Sequence, residues 1–339
     1  MKHYNIVVLN WNGWSDTQYC IESILTETTR DNFTIVLVDN GSDRDEVAKI
    51  SNYCRARFNY VLENNKEHFL SKDITLSKDF RNAHGKDKIV FIKNNENLGF
   101  AKGNNVALRF LKTIGEGLVI LLNNDTVIIE DALNKMVNFY NGKSLIGAVV
   151  PQIRYYDPND IIWNCGGMIN SIGVRKYDYA FKKVDKVPQE GFKKIDYGTG
   201  CALLFDIKKV GLLTEKFFFG EEDMEFAFRL GKKNLSIFCL YEAIILHKVG
   251  ASRSQISRNS VGKMVYHYCQ RMSNLKDNLS GFHYYISLLA HMASSIRLLK
   301  NMGSLKLSTF VSCWRTVLQH VNKEQFTLDD FKKISNQNY

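Results

Sequence analysis

Residues 118–125 read LVILLNND, five apolar residues that run into two amides and a carboxylate. An uninterrupted apolar run of that length leaves no face for water. It reads as a strand buried on both sides, as in a parallel sheet covered by helices. Residues 6–9, 34–38 and 89–92 have the same character. Between them the periodicity turns helical. Ser15, Asp16, Thr17 and Gln18 have the spacing of a capping box, opening a helix to about Thr28 with Tyr19, Ile21, Ile24 and Leu25 apolar. Helical patterns also cover residues 43–57 and about 103–113, whereas residues 63–88 are polar and irregular and are expected as a surface insertion. The fold class is therefore α/β, a mostly parallel central sheet flanked by helices. Such sheets bind ligands beyond the carboxyl ends of their strands. The polar clusters at residues 10–13, 39–40, 94–97 and 123–125 fall at those ends.

Past Pro151 the pattern loosens. Gly166 and Gly167 adjoin, Gly198 and Gly200 bracket a threonine, and the Lys-rich residues 175–194 read as a mobile loop. Residues 220–230 are acidic, then helical. From about residue 256 the pattern is helical to the end, with Tyr266, Tyr268, Tyr284 and Tyr285 interleaved with basic residues. A chain of 339 residues that is 45% hydrophobic can bury one large α/β domain plus an appended segment, which excludes global disorder. Seven cysteines with no CxxC spacing exclude a zinc or disulfide framework and fit a reducing compartment. The N-terminal apolar run is too short for a signal peptide, and no stretch has the ~20 apolar residues of a membrane span. The net charge is +10, and residues 256–339 hold 11 Lys and Arg against 4 Asp and Glu. A basic, aromatic-rich end suits an anionic surface, membrane or nucleic acid; it is also what a plain solvated helical surface looks like.

Four groups carry candidate chemistry. Asp39, after an apolar strand, can accept from a base N–H or a ribose hydroxyl, or cap the next helix through an Asx turn. Asn124 and Asp125 offer oxygen ligands to a hard divalent cation shared with substrate phosphates. Glu221, Glu222 and Asp223 crowd three carboxylates together, which raises their pKa values and suits a general base, although acidic residues also favour a first helical turn for its dipole. His247 ends an apolar run and reads either as a metal ligand or as a satisfied structural histidine.

Eight segments in order resemble the family-2 inverting glycosyltransferases of GT-A fold, in particular their rhamnosyltransferase-like branch. They are VVLNWNG (7–13), VLVDNGSDR (36–44), NENLGFAKGNN (95–105), LLNNDTVI (121–128), YYDPNDIIWNCGG (155–167), YGTGCALLF (197–205), GEEDMEFAFRL (220–230) and HKVGAS (247–252). The resemblance implies a Rossmann-like GT-A sheet with a C-terminal helical segment. Residues 1–130 would form the nucleotide-sugar half, 131–255 the acceptor and catalytic half, and 256–339 a basic helical segment. It implies a UDP- or dTDP-sugar donor, a glycan or lipid-linked acceptor in cell-surface polysaccharide synthesis, and Mn²⁺ or Mg²⁺ as cofactor. Leu9, Asn10, Asn12, Asp39, Asn97, Lys102 and Asn124 would bind the nucleotide, and Asp125 and His247 the metal. Asp223 would be the general base, with Trp163, Gly200, Cys201 and Glu222 lining the donor and acceptor pocket. Location in the cytoplasm at the inner membrane face, a possible homo-oligomer and no nucleic-acid partner complete the expectation.

Two positions depart from the family pattern. Asn123 stands where the metal motif has its first acid, and Arg271 is followed by Met272 where relatives have asparagine, so no contact is carried over to Arg271. Two other classes are weighed against this one. A non-catalytic binder would use only the basic end. A sugar-nucleotide pyrophosphorylase would need a Gly-rich, Arg-bearing loop after the first strand, where this chain reads NWNGWSD.

Overall fold

The structure, a computed structural model, describes residues 3–71, 74–141, 143–249 and 259–339. Residues 250–252 of HKVGAS, and the expected boundary at 255/256, lie outside the described residues. The first half runs β1 (Tyr4–Asn10), α1 (Trp14–Glu27), β2 (Phe33–Asn40), α2 (Arg44–Arg57), β3 (Tyr60–Asn65), α3 (Lys66–Phe69), α4 (Lys78–Asn82), β4 (Lys88–Asn94), α5 (Phe100–Thr113) and β5 (Leu118–Asn123). Then come β6 (Thr126–Ile128), α6 (Ala132–Tyr140), β7 (Ile146–Tyr155), β8 (Ile162–Asn164), β9 (Gly167–Ile169), β10 (Arg175–Tyr177), β11 (Phe192–Ile195) and β12 (Ala202–Asp206). The rest is α7 (Ile207–Val210), α8 (Glu222–Lys232), β13 (Ser236–His247), α9 (Ser260–Asn278), α10 (Gly281–Asn301), α11 (Leu307–His320) and α12 (Leu328–Asn336).

One sheet organises the molecule, in the order β11-β13-β7-β12-β5-β1-β2-β4-β3. The run β5-β1-β2-β4-β3 is parallel. β12 lies antiparallel between β5 and β7, and β13 is parallel to β7. Two reversals through β12 give β7 and β13 the direction of β5, so the carboxyl ends of β1, β2, β5 and β13 and the amino end of β12 share one edge.

The apolar runs are continuous because both sheet faces are covered. Val7, Val36, Val90 and Val119 point into one core with α5 and α8; Ile6, Ile35, Ile89 and Ile120 point into the other with α1, α2 and α6. A third cluster joins α9 to α11 and α12 through Cys269, Met272, Trp314, Val317 and Ile334. Tyr266, Tyr268 and Tyr284 are buried there, while Tyr285 is exposed. All seven cysteines are buried and free. No helix among the described residues is long and apolar enough to cross a membrane.

Three sequence expectations are corrected. The capping box does not form: α1 starts at Trp14 after Gly13, and the Trp14 amide is met instead by Glu46 Oε2 at 3.0 Å from α2. Residues 63–88 are not a mere insertion. β3 closes the sheet edge beside β4, and Phe69 and Phe80 are buried in the core. Nor is 175–194 simply a loop: β10 pairs with β9, and β11 pairs with β13.

Phe69 packs edge-on against Phe110 of α5, with ring centroids 5.1 Å apart. Phe69→Ala is expected to cost about 3–5 kcal/mol in a urea unfolding titration, as for other fully buried phenylalanines.

Candidate functional site

The pairing register sets the site. Asn10 lies beside Asp39, and Leu9 beside Asn123. Asn10 Nδ2 donates to Asp39 Oδ1 at 2.9 Å, and Asp39 Oδ2 accepts from the Ser42 amide at 3.0 Å. Asn10 Oδ1 accepts from Thr17 Oγ1 at 2.8 Å, and Asn124 Nδ2 reaches both atoms, at 3.3 Å and 3.0 Å. Asn12, in the left-handed region at φ 47°, takes Asp43 N onto its side chain at 2.8 Å and gives its own amide to Ser42 Oγ at 2.8 Å. Asn10 and Asp39 are fully buried with their oxygens engaged. Asp39 thus makes an Asx turn that shapes the loop, and Asn12 and Asn124 beside it are partly exposed.

The loop after β4 closes on this network. Asn97 Oδ1 accepts from Asn40 Nδ2 at 3.0 Å. Gly99 has φ 80°, and a Cβ there would stand 2.3 Å from the Phe218 carbonyl. Only glycine permits that approach. It brings the start of α5, with Leu9 packed against Gly103, under the turn that leads to α8. Lys102, in the first turn of α5, forms no ion pair among the described residues.

Asp125 and His247, distant in sequence, meet because β6 pairs antiparallel with β13, Thr126 opposite His247. His247 Nε2 lies 3.1 Å from Asp125 Oδ1, an ion-pair distance without the alignment of a hydrogen bond. Trp163 packs edge-on to the imidazole at 4.4 Å, and the Cys201 carbonyl accepts from the Asn123 amide at 2.9 Å. Burial pushes the imidazole pKa down, but Cys201 and Asp125 outweigh it and raise it to about 10. Burial keeps Cys201 itself a neutral thiol, so Asp125 is the effective charge. Among the described residues no group of three or more His, Cys, Asp or Glu could hold a metal unaided. Yet Asp125 Oδ1 and His247 Nδ1 are buried and lack hydrogen-bond partners. These two side chains suit a divalent cation that takes its other ligands from phosphate oxygens, once that cation has displaced the imidazole's proton.

Across the same edge stands the acidic segment. Asp223, at the start of α8, accepts from Tyr197 Oη at 2.7 Å, and Gly200 lets the Phe100 ring come within 3.0 Å of where a Cβ would sit. Burial raises the Asp223 pKa against the pull of Arg175 and the Tyr197 hydrogen bond. Burial and the charge of Asp223 push Glu222 up to about 8, and its Oε2 has no partner.

Glu221 behaves oppositely. Its backbone is left-handed (φ 72°) and its side chain is wholly buried. Arg271 Nη1 lies 3.1 Å from Oε2, Asn274 Nδ2 3.1 Å from the same oxygen, and Arg175 Nη2 3.4 Å from Oε1. Burial would raise its pKa; Arg271 and Arg175 overcome this and hold it near 2. Arg271 also donates to the Gly173 carbonyl at 2.7 Å. No contact was carried over to Arg271 from the sequence; the structure gives it one, and the asparagine partner comes from position 274, three residues on and on the same helix face. Arg175, Tyr197 and Asn274 were not singled out in the sequence; only Tyr197 had a signal, in YGTGC.

Removing one member of this cluster strands a buried charge. Arg271→Ala is expected to cost about 3–5 kcal/mol by chemical unfolding. A carboxylate with a depressed folded pKa contributes stability above its ordinary 4.5 that is lost as pH falls toward 2. The acid-induced fall in melting temperature should therefore be shallower in Glu221→Gln than in the parent.

Solved structures of similar fold include GalNAc-T7 with UDP, GalNAc and Mn²⁺ (TM-score 0.53, 14% identity, covering 81% of this chain and 51% of that one). S. aureus TarS aligns with TM-score 0.53 at 12% identity, over 95% and 81% of the two chains. The mannosyltransferase PcManGT from Pyrobaculum calidifontis, with GDP-Man and Mn²⁺, aligns with TM-score 0.50 at 12% identity, over 94% and 84%. These likenesses establish the GT-A fold. In sequence, the low-salt glycan biosynthesis hexosyltransferase Agl10 of Haloferax volcanii is 24% identical over 219 residues, which is 62% of this chain and 65% of the relative. The chain thus spans a little under two thirds of that relative's length. The model of glycosyl transferase family 2 matches residues 5–208, from β1 through β12 and so more than half of the molecule. The chain therefore belongs to glycosyl transferase family 2.

Proposed function

We propose that the chain is an inverting hexosyltransferase of glycan biosynthesis, moving a sugar from a nucleoside diphosphate, UDP or dTDP, to a hydroxyl of a glycan or lipid-linked acceptor. The observation that carries the reading is the convergence on one sheet edge of Asp125 with His247 and of Asp223 with Tyr197, in a chain of this family. In this reading residues 1–130 bind the nucleotide, 131–255 the acceptor, and 256–339 are a helical segment at the inner membrane face.

Leu9, Asn10, Asn12, Asp39, Asn97, Lys102 and Asn124 would bind the nucleotide, Asp39 contacting the nucleoside. Asp125 and His247 would hold Mn²⁺ or Mg²⁺, which as a Lewis acid offsets charge on a departing diphosphate. Asp223 accepts the proton of the acceptor hydroxyl as the new bond forms on the face opposite the leaving group, so a single displacement inverts the anomeric carbon. A carboxylate made more basic by burial serves this better than an exposed one, and the Tyr197 hydroxyl fixes its orientation. Glu222, neutral at pH 7 with an unpartnered oxygen, can donate to a sugar hydroxyl. Gly200, Cys201 and Trp163 shape the wall between the two carboxylate groups.

Asp223→Asn should lower turnover by ~10²–10⁴-fold in a nucleotide-release assay while leaving donor affinity within a few-fold of the parent. Parent-like turnover would remove Asp223 from the role of base. Asp125→Ala should abolish the gain in UDP binding that Mn²⁺ gives, read by calorimetry with and without the metal; an undiminished gain would reject the metal assignment.

A further inference from the structure

An extended apolar surface lies on the C-terminal helices. On α10, Phe282, Tyr285, Ile286, Leu289 and Ile296 are exposed, at spacings i, i+3, i+4, i+7 and i+14. On a helix these positions form one stripe. Arg297 and Lys300 continue the same stripe at its C-terminal end, both exposed. α11 adds Leu307, which is 80% exposed, and Val311 and Leu318. A groove lined by Met292, Phe310, Trp314 and Arg315 runs between the two helices. Their mutual placement is fixed from inside, where Trp314 Nε1 donates to Ser295 Oγ at 2.9 Å.

The charges decide what covers this face. From Leu279 to Lys323 the chain contains no Asp or Glu. Arg297, Lys300, Lys306 and Arg315 are all exposed there, and none forms an ion pair among the described residues. A second copy seated on the face by a two-fold axis would set these cations against their own equivalents, with no carboxylate in the patch to answer them. An apolar stripe bordered by unpaired cations instead complements an anionic lipid surface, the apolar side chains entering the acyl boundary and the cations meeting headgroup phosphates. We infer that the outer face of α10 and α11 docks the protein on an anionic phospholipid bilayer.

The inference deepens the proposed reaction and rests on it only for its purpose, bringing the cleft to a membrane-borne acceptor. α9 ties the two regions together. Its Arg271 and Asn274 grip Glu221, while its Tyr268 packs on Trp314 of α11 with ring centroids 5.3 Å apart.

Flotation with vesicles of phosphatidylglycerol and phosphatidylcholine, against phosphatidylcholine alone, tests it with the full chain. The parent should float at least tenfold more with the anionic vesicles at low salt, and lose most of this at high salt. Leu289→Glu with Leu307→Glu, and separately Arg297→Glu with Lys300→Glu, should each lower flotation at least tenfold. Both variants should keep parent circular dichroism and UDP binding, since these side chains are solvent-exposed. Equal flotation with both vesicle types, or variants that float like the parent, would overturn the inference. So would a parent dimer in light scattering that the leucine variant dissolves without change in flotation, which would give the face to a second copy. Failure of flotation with UDP binding and transfer intact counts against docking alone; flotation without transfer counts against the proposed reaction alone.

Discussion

A carboxylate with no route to water is the constraint on which the rest of the structure turns. Glu221 is ionised inside the protein and survives only because Arg271, Arg175 and Asn274 reach it together. Desolvating such a charge costs several kcal/mol, and its removal in favour of apolar packing is often neutral. Net stability is therefore a weak reason for it. Its effect is positional: it holds the left-handed turn from which α8 starts, and so settles where Glu222 and Asp223 stand. The three partners come from a hairpin and a helix separated in sequence by almost a hundred residues, which makes the cleft conditional on the assembly of the whole chain.

The second determinant is strand direction. A purely parallel sheet would carry loops only from its carboxyl ends to the cleft. By inserting β12 in the opposite sense, the fold delivers the segment before that strand, with Tyr197, Gly200 and Cys201, to the edge where β5 and β13 finish. The parallel strands and the one antiparallel insertion thus bring residues 10, 125, 200 and 247 to the same edge of the sheet.

Much of this was legible in the sequence, for physical reasons. β1, β2, β4 and β5 are buried on both faces, so their composition announces them, and the polar residues that end them mark the cleft. β3 was missed because an edge strand with only Val61, Leu62 and Glu63 half-buried carries almost no pattern. β10 was hidden among lysines; its Arg175 is indistinguishable from them until Glu221 is seen beside it. The separation of three adjacent carboxylates into one held ionised and two made basic was also out of reach. It depends on which side chain turns toward α9, and crowding alone predicts the same direction for all three. Arg271 was set aside because its neighbour was methionine. Helical geometry supplied the missing amide one turn later, an option that a comparison of adjacent letters overlooks.

The double allegiance of α9 has an evolutionary corollary. A helix that neutralises a buried acid of the sheet domain on one flank and carries the amphipathic pair on the other cannot be exchanged as a freestanding module. Any recombinant that grafts a different tail after β13 inherits an unanswered anion beneath the turn that starts α8 unless the incoming helix brings its own guanidinium. Divergence in this lineage should thus proceed by repainting the outside of α10 and α11, with the inner flank of α9 left alone.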